Sequence, residues 1–579
     1  MKLLEALGAL EESLSSQSPL LTVRLACGFS PLHLRTFLNA HLRQEFPAHR
    51  IQVGIGLYDD LAGNLERLES ASSDAVVCVI EWQDLDPRLG IRRVGGWAPK
   101  QLTDITRGVR STAARLADSL ERIAQSNTVA LALPTLPIPP VAFTPGWQAG
   151  SFESDLRQAV AELSTRLAGR AGVRIVSVQR LDRVSPPAAR FDVRSELTAG
   201  FPYRLSHADA LAALLARAIR NPSPKKALIT DLDDTLWKGI LGEVGVESIA
   251  WDLDQHAQKH GLYQQFLASI SEAGILIAAA SKNDPDLVDE AFRAAKPILP
   301  RDRIFPMEIN WGAKSESVAR ILRAWNVGPD SVVFVDDSAL DLAEVKAAHP
   351  EVECLLFPRD DDQAAYQLLE DLRDLFGKQA LSQEDEIRLE SIRASHAAAQ
   401  AVGSPHMTPE RFLAEAEGKL TLRFGNDPGD ARALELINKT NQFNLNGKRH
   451  SDASWKRYLG ESRVFLAVAS YEDKFGPLGK IAVMAGRRDG SKISLDHWVM
   501  SCRAFSRRIE HGCLLHLLQK FGAEEAAFDF VPTPRNGPLQ EFFAGLLGAA
   551  PERSFCLRKE QFGEKCPPVY LEIQEASNE

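Results

Sequence analysis

Asp231 and Asp233 stand two residues apart at the end of the apolar run KKALITDLDDT. A strand that ends in this way delivers both carboxylates to the carboxyl edge of a parallel sheet, where open α/β sheets place their sites. One carboxylate can attack phosphorus and form an aspartyl-phosphate, which splits a difficult displacement into two easier steps. An isolated acidic pair is also what a helix cap or a solvated loop looks like. Three further strings, in order along the chain, favour chemistry. ILIAAASKND brings the Ser281 hydroxyl to the end of a second strand, within hydrogen-bonding reach of a phosphate oxygen. WGAKSES sets Lys314 at a helix start, so that an ammonium and backbone amides face the same anion. SVVFVDDSALD ends a third strand in Asp336 and Asp337, hard oxygen donors of the kind Mg²⁺ takes. Nucleophile, proton shuttle, metal ligands and cationic clamp are the parts that phosphoryl transfer needs.

The elements that must position these residues are those of a multidomain α/β protein. At 579 residues the chain exceeds what one core can bury. LTVRLAC, IQVGIGL, DAVVCVIEW, NTVALALP and GVRIVSVQ read as buried parallel strands, separated by helical stretches such as QLTDITRGVRSTAARLADSLERIAQ. These predict a three-layer α/β domain over residues 1–220. NPSPKK resets the pattern, and a second α/β unit with strands ALITD, ILIAAAS and SVVFVDD is expected over 221–376. An acidic helical linker is expected over 377–418. KLTLRF, RVFLAVAS, KIAVMAG and KISLDHWVM, with helices near 430–440 and 508–521, make an α+β domain of 419–579.

Composition narrows the functional class. A formal net charge of -10 argues against a general nucleic-acid binder, and no apolar run approaches the roughly 18 residues of a membrane span. Seven scattered cysteines without a CxxC pair indicate neither a disulfide framework nor a zinc site. The opening MKLLEALGALEESL carries Glu5, Glu11 and Glu12 and reads as an amphipathic helix, not a signal peptide, so a cytoplasmic location is expected.

The four strings around Asp231, Ser281, Lys314 and Asp337 resemble the sequence motifs of the haloacid-dehalogenase (HAD) superfamily. The resemblance implies Asp231 as nucleophile and Asp233 as general acid/base. It implies Thr235, Ser281, Lys282, Asn283 and Lys314 as substrate-binding residues. Mg²⁺ would be held by Asp231, Asp336, Asp337 and the carbonyl of Asp233. About fifty residues separate Asp231 from Ser281, which leaves room for a minimal cap and an open site.

LWKGILGEVGVESI, INKTNQFNLNGKR, DKFGPLG, MSCR and PTPRNGPLQEFF resemble the FkbH-like proteins more closely. That family implies an SGNH-hydrolase-like first domain, the HAD-like domain and a GNAT-like final domain. Its members take 1,3-bisphosphoglycerate, a phosphorylated small molecule. They form a glyceryl thioester, remove phosphate and pass the glyceryl group to the phosphopantetheine arm of an acyl carrier protein in polyketide-type assembly. The alternative is a simpler HAD phosphatase with docking domains. Where many members carry a cysteine before the motif-two serine, this chain has Ala280. Cys502 is then the candidate thiol, with Arg503 beside it and Asn441 in the polar string as a further substrate or carrier contact. A GNAT pyrophosphate loop would place glycines where Ser506 and Arg508 stand, which argues against ordinary acetyl-CoA use. In the first domain, Ser30 of GFSPLH with Asp192 and His207 makes an incomplete hydrolase set, and scaffolding is expected. Asp84 and Asp86 read as turn caps.

Overall fold

The computed structural model describes residues 1–11, 18–69, 73–141, 144–170, 172–378, 380–402, 409–505 and 507–576. It divides into two compact units, residues 1–222 with 450–458, and residues 223–449 with 459–579.

The first unit is built on a five-stranded parallel sheet of order β2-β1-β3-β4-β5. Its strands are β1 (Leu20–Cys27), β2 (Arg50–Ile55), β3 (Ala75–Val79), β4 (Thr128–Ala132) and β5 (Val173–Ile175). All five coincide with runs expected from sequence, β1 and β2 beginning one residue earlier. Strand residues alternate between two cores, as a period of two requires. Val23, Leu25, Val77 and Val79 face one core, where the helices Leu32–Glu45 and Leu205–Arg220 pack. Ala26, Val76, Cys78, Val129 and Leu131 face the other, under the helices Leu102–Ala124 and Ser151–Ala168.

The second unit carries two sheets. The first is parallel, of order β10-β9-β6-β7-β8. Its strands are β6 (Ala227–Thr230), β7 (Leu276–Ser281), β8 (Ile304–Ile309), β9 (Val332–Asp336) and β10 (Glu353–Leu356). Leu228, Ile277, Val333 and Val335 pack toward the helix Gln258–Glu272, and Ile229, Ala278, Ala280 and Phe334 toward the helix Lys314–Trp325. Sequence periodicity found β6, β7 and β9 and missed the flanking strands β8 and β10. Pro306 interrupts the β8 run, and β10 has four residues with no fully buried position.

The second sheet of this unit is mixed and seven-stranded, of order β16-β15-β14-β13-β12-β11-β17. It consists of β11 (Gly418–Phe424), β12 (Val464–Asp473), β13 (Gly476–Asp489), β14 (Lys492–Met500), β15 (Glu525–Phe528), β16 (Phe555–Arg558) and β17 (Leu571–Glu575). The four long strands β11 to β14 are the ones expected, antiparallel to each other and laid over one large core. Between the two sheets in sequence run the short helices Gln383–Glu386, Arg388–Val402 and Pro409–Glu415. The first is pinned by Asp385, which takes Lys378 at 2.8 Å and Arg388 at 2.6 Å. Among the described residues no helix is long and apolar enough to cross a membrane.

Candidate active site at the carboxyl edge of the second sheet

Strand β6 runs ALIT, each residue buried, and Asp231 follows at once. Its amide bonds to the Val335 carbonyl at 2.9 Å, so the neighbouring strands β6 and β9 hold the two acidic ends side by side. Asp231 is 5% exposed and Asp336 is fully buried. Carboxylate oxygens of Asp231, Asp336 and Asp337 all lie within 4.8 Å of one another.

Three carboxylates this close would repel were it not for Lys314. Its Nζ stands 3.0 Å from Asp231 Oδ1, 2.5 Å from Asp336 Oδ2 and 3.7 Å from Asp341 Oδ2. Burial works against the charge of this ammonium, but Asp231 and Asp336 outweigh it and hold its pKa above the ordinary lysine value. Asp336 feels the opposite balance: burial and Asp231 raise its pKa while Lys314 pulls it down. Burial also raises Asp337, with Asp231 adding to it and Arg359, 3.3 Å away, opposing.

Asp231 Oδ1 is buried, and no neutral donor among the described residues bonds to it. The Lys314 ammonium stands 3.0 Å from it and holds it by charge. A buried, under-coordinated carboxylate oxygen converging with two others is a donor set suited to a hard divalent cation such as Mg²⁺. The residues present fit that ion, with Asp231, Asp336 and Asp337 as its carboxylate ligands.

Asp233 stands apart from this triad. Its Oδ1 accepts from Trp237 Nε1 at 3.0 Å and its Oδ2 from Asn283 Nδ2 at 3.0 Å, which fixes the side chain. Burial pushes its pKa up to about 6, Asp231 and Asp234 adding to the rise and the hydrogen bonds from Trp237 and Leu241 opposing it. Thr235 ties the first and third strings together, since its Oγ1 accepts from the Asp337 amide at 3.1 Å. The loop itself is braced from the helix Gln258–Glu272. His260 Nδ1 donates to the Thr235 carbonyl at 2.9 Å, Gln264 Nε2 to the Leu236 carbonyl at 2.8 Å, and Tyr263 OH to Thr230 Oγ1 at 3.1 Å.

Nine expected site residues therefore meet at the carboxyl ends of β6, β7 and β9 and the start of the helix Lys314–Trp325. They are Asp231, Asp233, Thr235, Ser281, Lys282, Asn283, Lys314, Asp336 and Asp337. Ser281 closes β7 and is 4% exposed. Asn283 spends its amide on Asp233, and Lys282 Nζ binds Asp341 Oδ1 at 2.8 Å. Asp341 was not singled out by sequence; it bridges Lys282 and Lys314. Its signal was the final residue of SVVFVDDSALD, which reads equally well as a solvated helix position.

The other three lie around the seven-stranded sheet. Arg503 is buried and donates to Ser391 Oγ at 3.0 Å. Cys502 begins a short helical turn, and its side chain lies outside the described residues. Asn441 accepts from Arg449 at 2.5 Å. Much of the polar string around it is engaged locally. Asn444 Oδ1 accepts from the amides of Asn446 and Gly447, Asn446 Nδ2 donates to the carbonyls of Asp496 and Asp529, and Arg449 donates to the carbonyls of Ile437 and Thr440. Arg508 has φ 56°, a left-handed conformation that favours glycine, at a position where a pyrophosphate loop would carry one. Ser506 lies outside the described residues.

In the first unit, His207 bonds Thr135 and Ser185, and Asp192 caps the helix Val193–Ala199 through the Ser195 amide. Both are committed away from Ser30. Asp84 accepts from the Glu81 amide and Asp86 from the Arg88 amide, the capping roles expected of them.

No family model matches the chain, and no curated protein matches it either. Among solved structures, the chain is similar to the N-terminal part of a Bacteroides fragilis protein that contains a phosphatase domain and was crystallised in complex with Mg. The two share 20% sequence identity at a TM-score of 0.50, over 66% of this chain and 100% of the other. At that identity the likeness is one of fold.

Proposed function

We propose that the chain is a Mg²⁺-dependent phosphohydrolase of HAD type with Asp231 as nucleophile. We further propose that it works as an FkbH-like enzyme, loading a glyceryl or related acyl unit from 1,3-bisphosphoglycerate onto an acyl carrier protein with loss of phosphate. The observation that carries the first part is the buried Lys314 ammonium between Asp231 and Asp336, beside an Asp231 oxygen to which no neutral donor among the described residues bonds.

Asp231 attacks the phosphorus of a phosphomonoester, the bond from phosphorus to the leaving oxygen breaks, and Asp233 gives that oxygen its proton. Water then attacks the aspartyl-phosphate, Asp233 takes a proton back, and inorganic phosphate leaves the restored carboxylate. Lys314 and Ser281 hold the phosphate oxygens, and the hydrogen bonds from Trp237 and Asn283 keep the Asp233 carboxyl oriented. Mg²⁺ bound by Asp231, Asp336 and Asp337 supplies the positive charge that offsets the phosphate oxygens.

The loading step rests on the resemblance in sequence. A thiolate, with Cys502 the candidate, attacks the carbonyl of the acyl phosphate. The carbon–oxygen bond breaks, phosphate leaves, and a thioester forms without ATP. After the remaining phosphomonoester is cleared, the carrier's phosphopantetheine thiol takes the acyl group. Exposed apolar side chains beside the site, Trp311 at 74% and Leu340 at 78%, suit a bulky, protein-borne substrate. The second reading, a phosphatase acting on a free small phosphoester, is favoured by the local bonding of the polar string around Asn441.

Intact-protein mass spectrometry of a holo acyl carrier protein, incubated with the enzyme, Mg²⁺ and 1,3-bisphosphoglycerate, separates the two. A mass gain matching a dephosphorylated glyceryl thioester, lost in Cys502→Ala, supports loading. Phosphate release with no gain on the carrier leaves the phosphatase alone.

A further inference from the structure

In the first unit, strands β3 and β4 end against a second concavity, unrelated to the Asp231 site. A cavity of about 140 Å³ lies among Trp82, Leu89, Leu136, Ile138, Phe191 and Pro202. That is close to the roughly 150 Å³ apolar cavity known to accept benzene. Two carboxyl groups also line it, Glu81 and Glu196.

Their situations differ. Glu81 is fully engaged, accepting from the Thr135 amide and hydroxyl, the Leu136 amide and the Tyr203 hydroxyl at 2.6 to 3.2 Å. Glu196 is 2% exposed, and neither of its oxygens has a hydrogen-bond partner among the described residues. Burial raises its pKa, with Arg92 opposing. An unpartnered buried carboxyl costs free energy in either protonation state, and such groups persist where something else uses them.

Three neighbouring prolines contribute to the lining, with Gln83 as the other polar side chain besides the two carboxyl groups. Pro137, Pro139 and Pro140 have no backbone N–H to offer, and their fixed φ keeps this side of the cavity preformed. The remaining lining is mostly hydrocarbon. A ligand that fills the space and engages Glu196 would bring its own donor to the carboxyl group.

We propose that this pocket is a binding site for a small, largely apolar molecule bearing a hydrogen-bond-donating nitrogen, which Glu196 holds. An anion is disfavoured by the two carboxyls. A bare hydrocarbon would fill the volume and leave Glu196 as it is.

Ligand-observed NMR titration of the full-length chain tests this with benzylamine and with toluene, a hydrocarbon of the same shape. Benzylamine is expected to bind about tenfold or more tightly than toluene. Glu196→Leu should remove that preference while keeping toluene binding, and should melt no lower than wild type because the unpaired carboxyl is gone. Should that variant fold poorly, Glu196→Gln keeps the shape and is expected to weaken benzylamine about tenfold. Equal binding of the two probes, no binding of either at millimolar concentration, or unchanged benzylamine affinity in both variants would overturn the proposal.

Discussion

The two parallel five-stranded sheets use the same architecture for opposite electrostatic ends. Each carries acids at the carboxyl ends of its strands: buried Glu81 and half-buried Asp84 after β3, buried Asp231 after β6, and buried Asp336 with half-buried Asp337 at the end of β9. At the ends of β6 and β9 the acids converge on a buried ammonium, and one Asp231 oxygen has no neutral donor among the described residues. Beyond β3 the principal acid is met by neutral donors, the Thr135 hydroxyl, two amides and the Tyr203 phenol. Burial pushes Asp84 up to about 8, with the nearby acids Glu81, Asp59 and Glu196 adding to the rise and the Glu81 amide opposing it. A parallel sheet supplies a place for carboxylates, and the cation set among them decides whether they form a charged reaction centre or a neutral brace.

The sharpest way to break this comparison is Asp231→Asn, which preserves shape and removes the proposed nucleophile. Phosphate release should fall by a factor on the order of 10⁴ or more, with melting temperature nearly unchanged. Normal turnover in a phosphate-release assay would sink the assignment. Next in size is Lys314→Met, which leaves Asp231 and Asp336 facing each other without a counter-charge. A loss of about 3–5 kcal/mol is expected in urea unfolding. A variant as stable as wild type would show that the cluster does not depend on its cation.

The smallest effect belongs to the first unit and concerns pH. Burial, with Arg190 adding to it, holds His207 down at about 3, against an ordinary value of 6.5. With the Thr135 hydroxyl proton given to Glu81, its oxygen accepts from His207 Nε2 while Ser185 donates to Nδ1, which suits a neutral ring. The unfolded chain binds a proton below 6.5 and the folded one does not until about 3, so stability falls as pH falls through that window. The slope is at most about 1.4 kcal/mol per pH unit. Hydrogen exchange of first-unit amides should show it, and His207→Gln should flatten it; an unchanged slope would place the acid sensitivity elsewhere.

What was legible in the sequence follows from the range of each signal. Buried central strands announce themselves as apolar runs, so β1 to β5, β6, β7, β9 and β11 to β14 could be read directly. The strands β8, β10, β15, β16 and β17 could not: they are short, polar or proline-bearing, and are held by partners distant in sequence. The acids and Lys314 were legible because each sits at a fixed offset from a strand end or helix start. Asp341 and Arg359 were not, since a charged residue on a helix or loop looks the same in a string whether or not a partner waits across space. Glu196 lay beyond reach for a related reason. Its lack of partners comes from walls contributed by residues 81–91, 136–140 and 191–202.

One feature of the reaction centre bears on how such sites can be moved between proteins. His260, Tyr263 and Gln264 lie at helical spacing on one face of the helix Gln258–Glu272, and each bonds a different point of the segment 230–236. The acidic loop and this helix are thus tied together at three points, over some forty residues from first strand to last brace. Grafting DLDDT alone onto another parallel sheet would transplant the letters and leave behind the splint that braces the segment carrying Asp231.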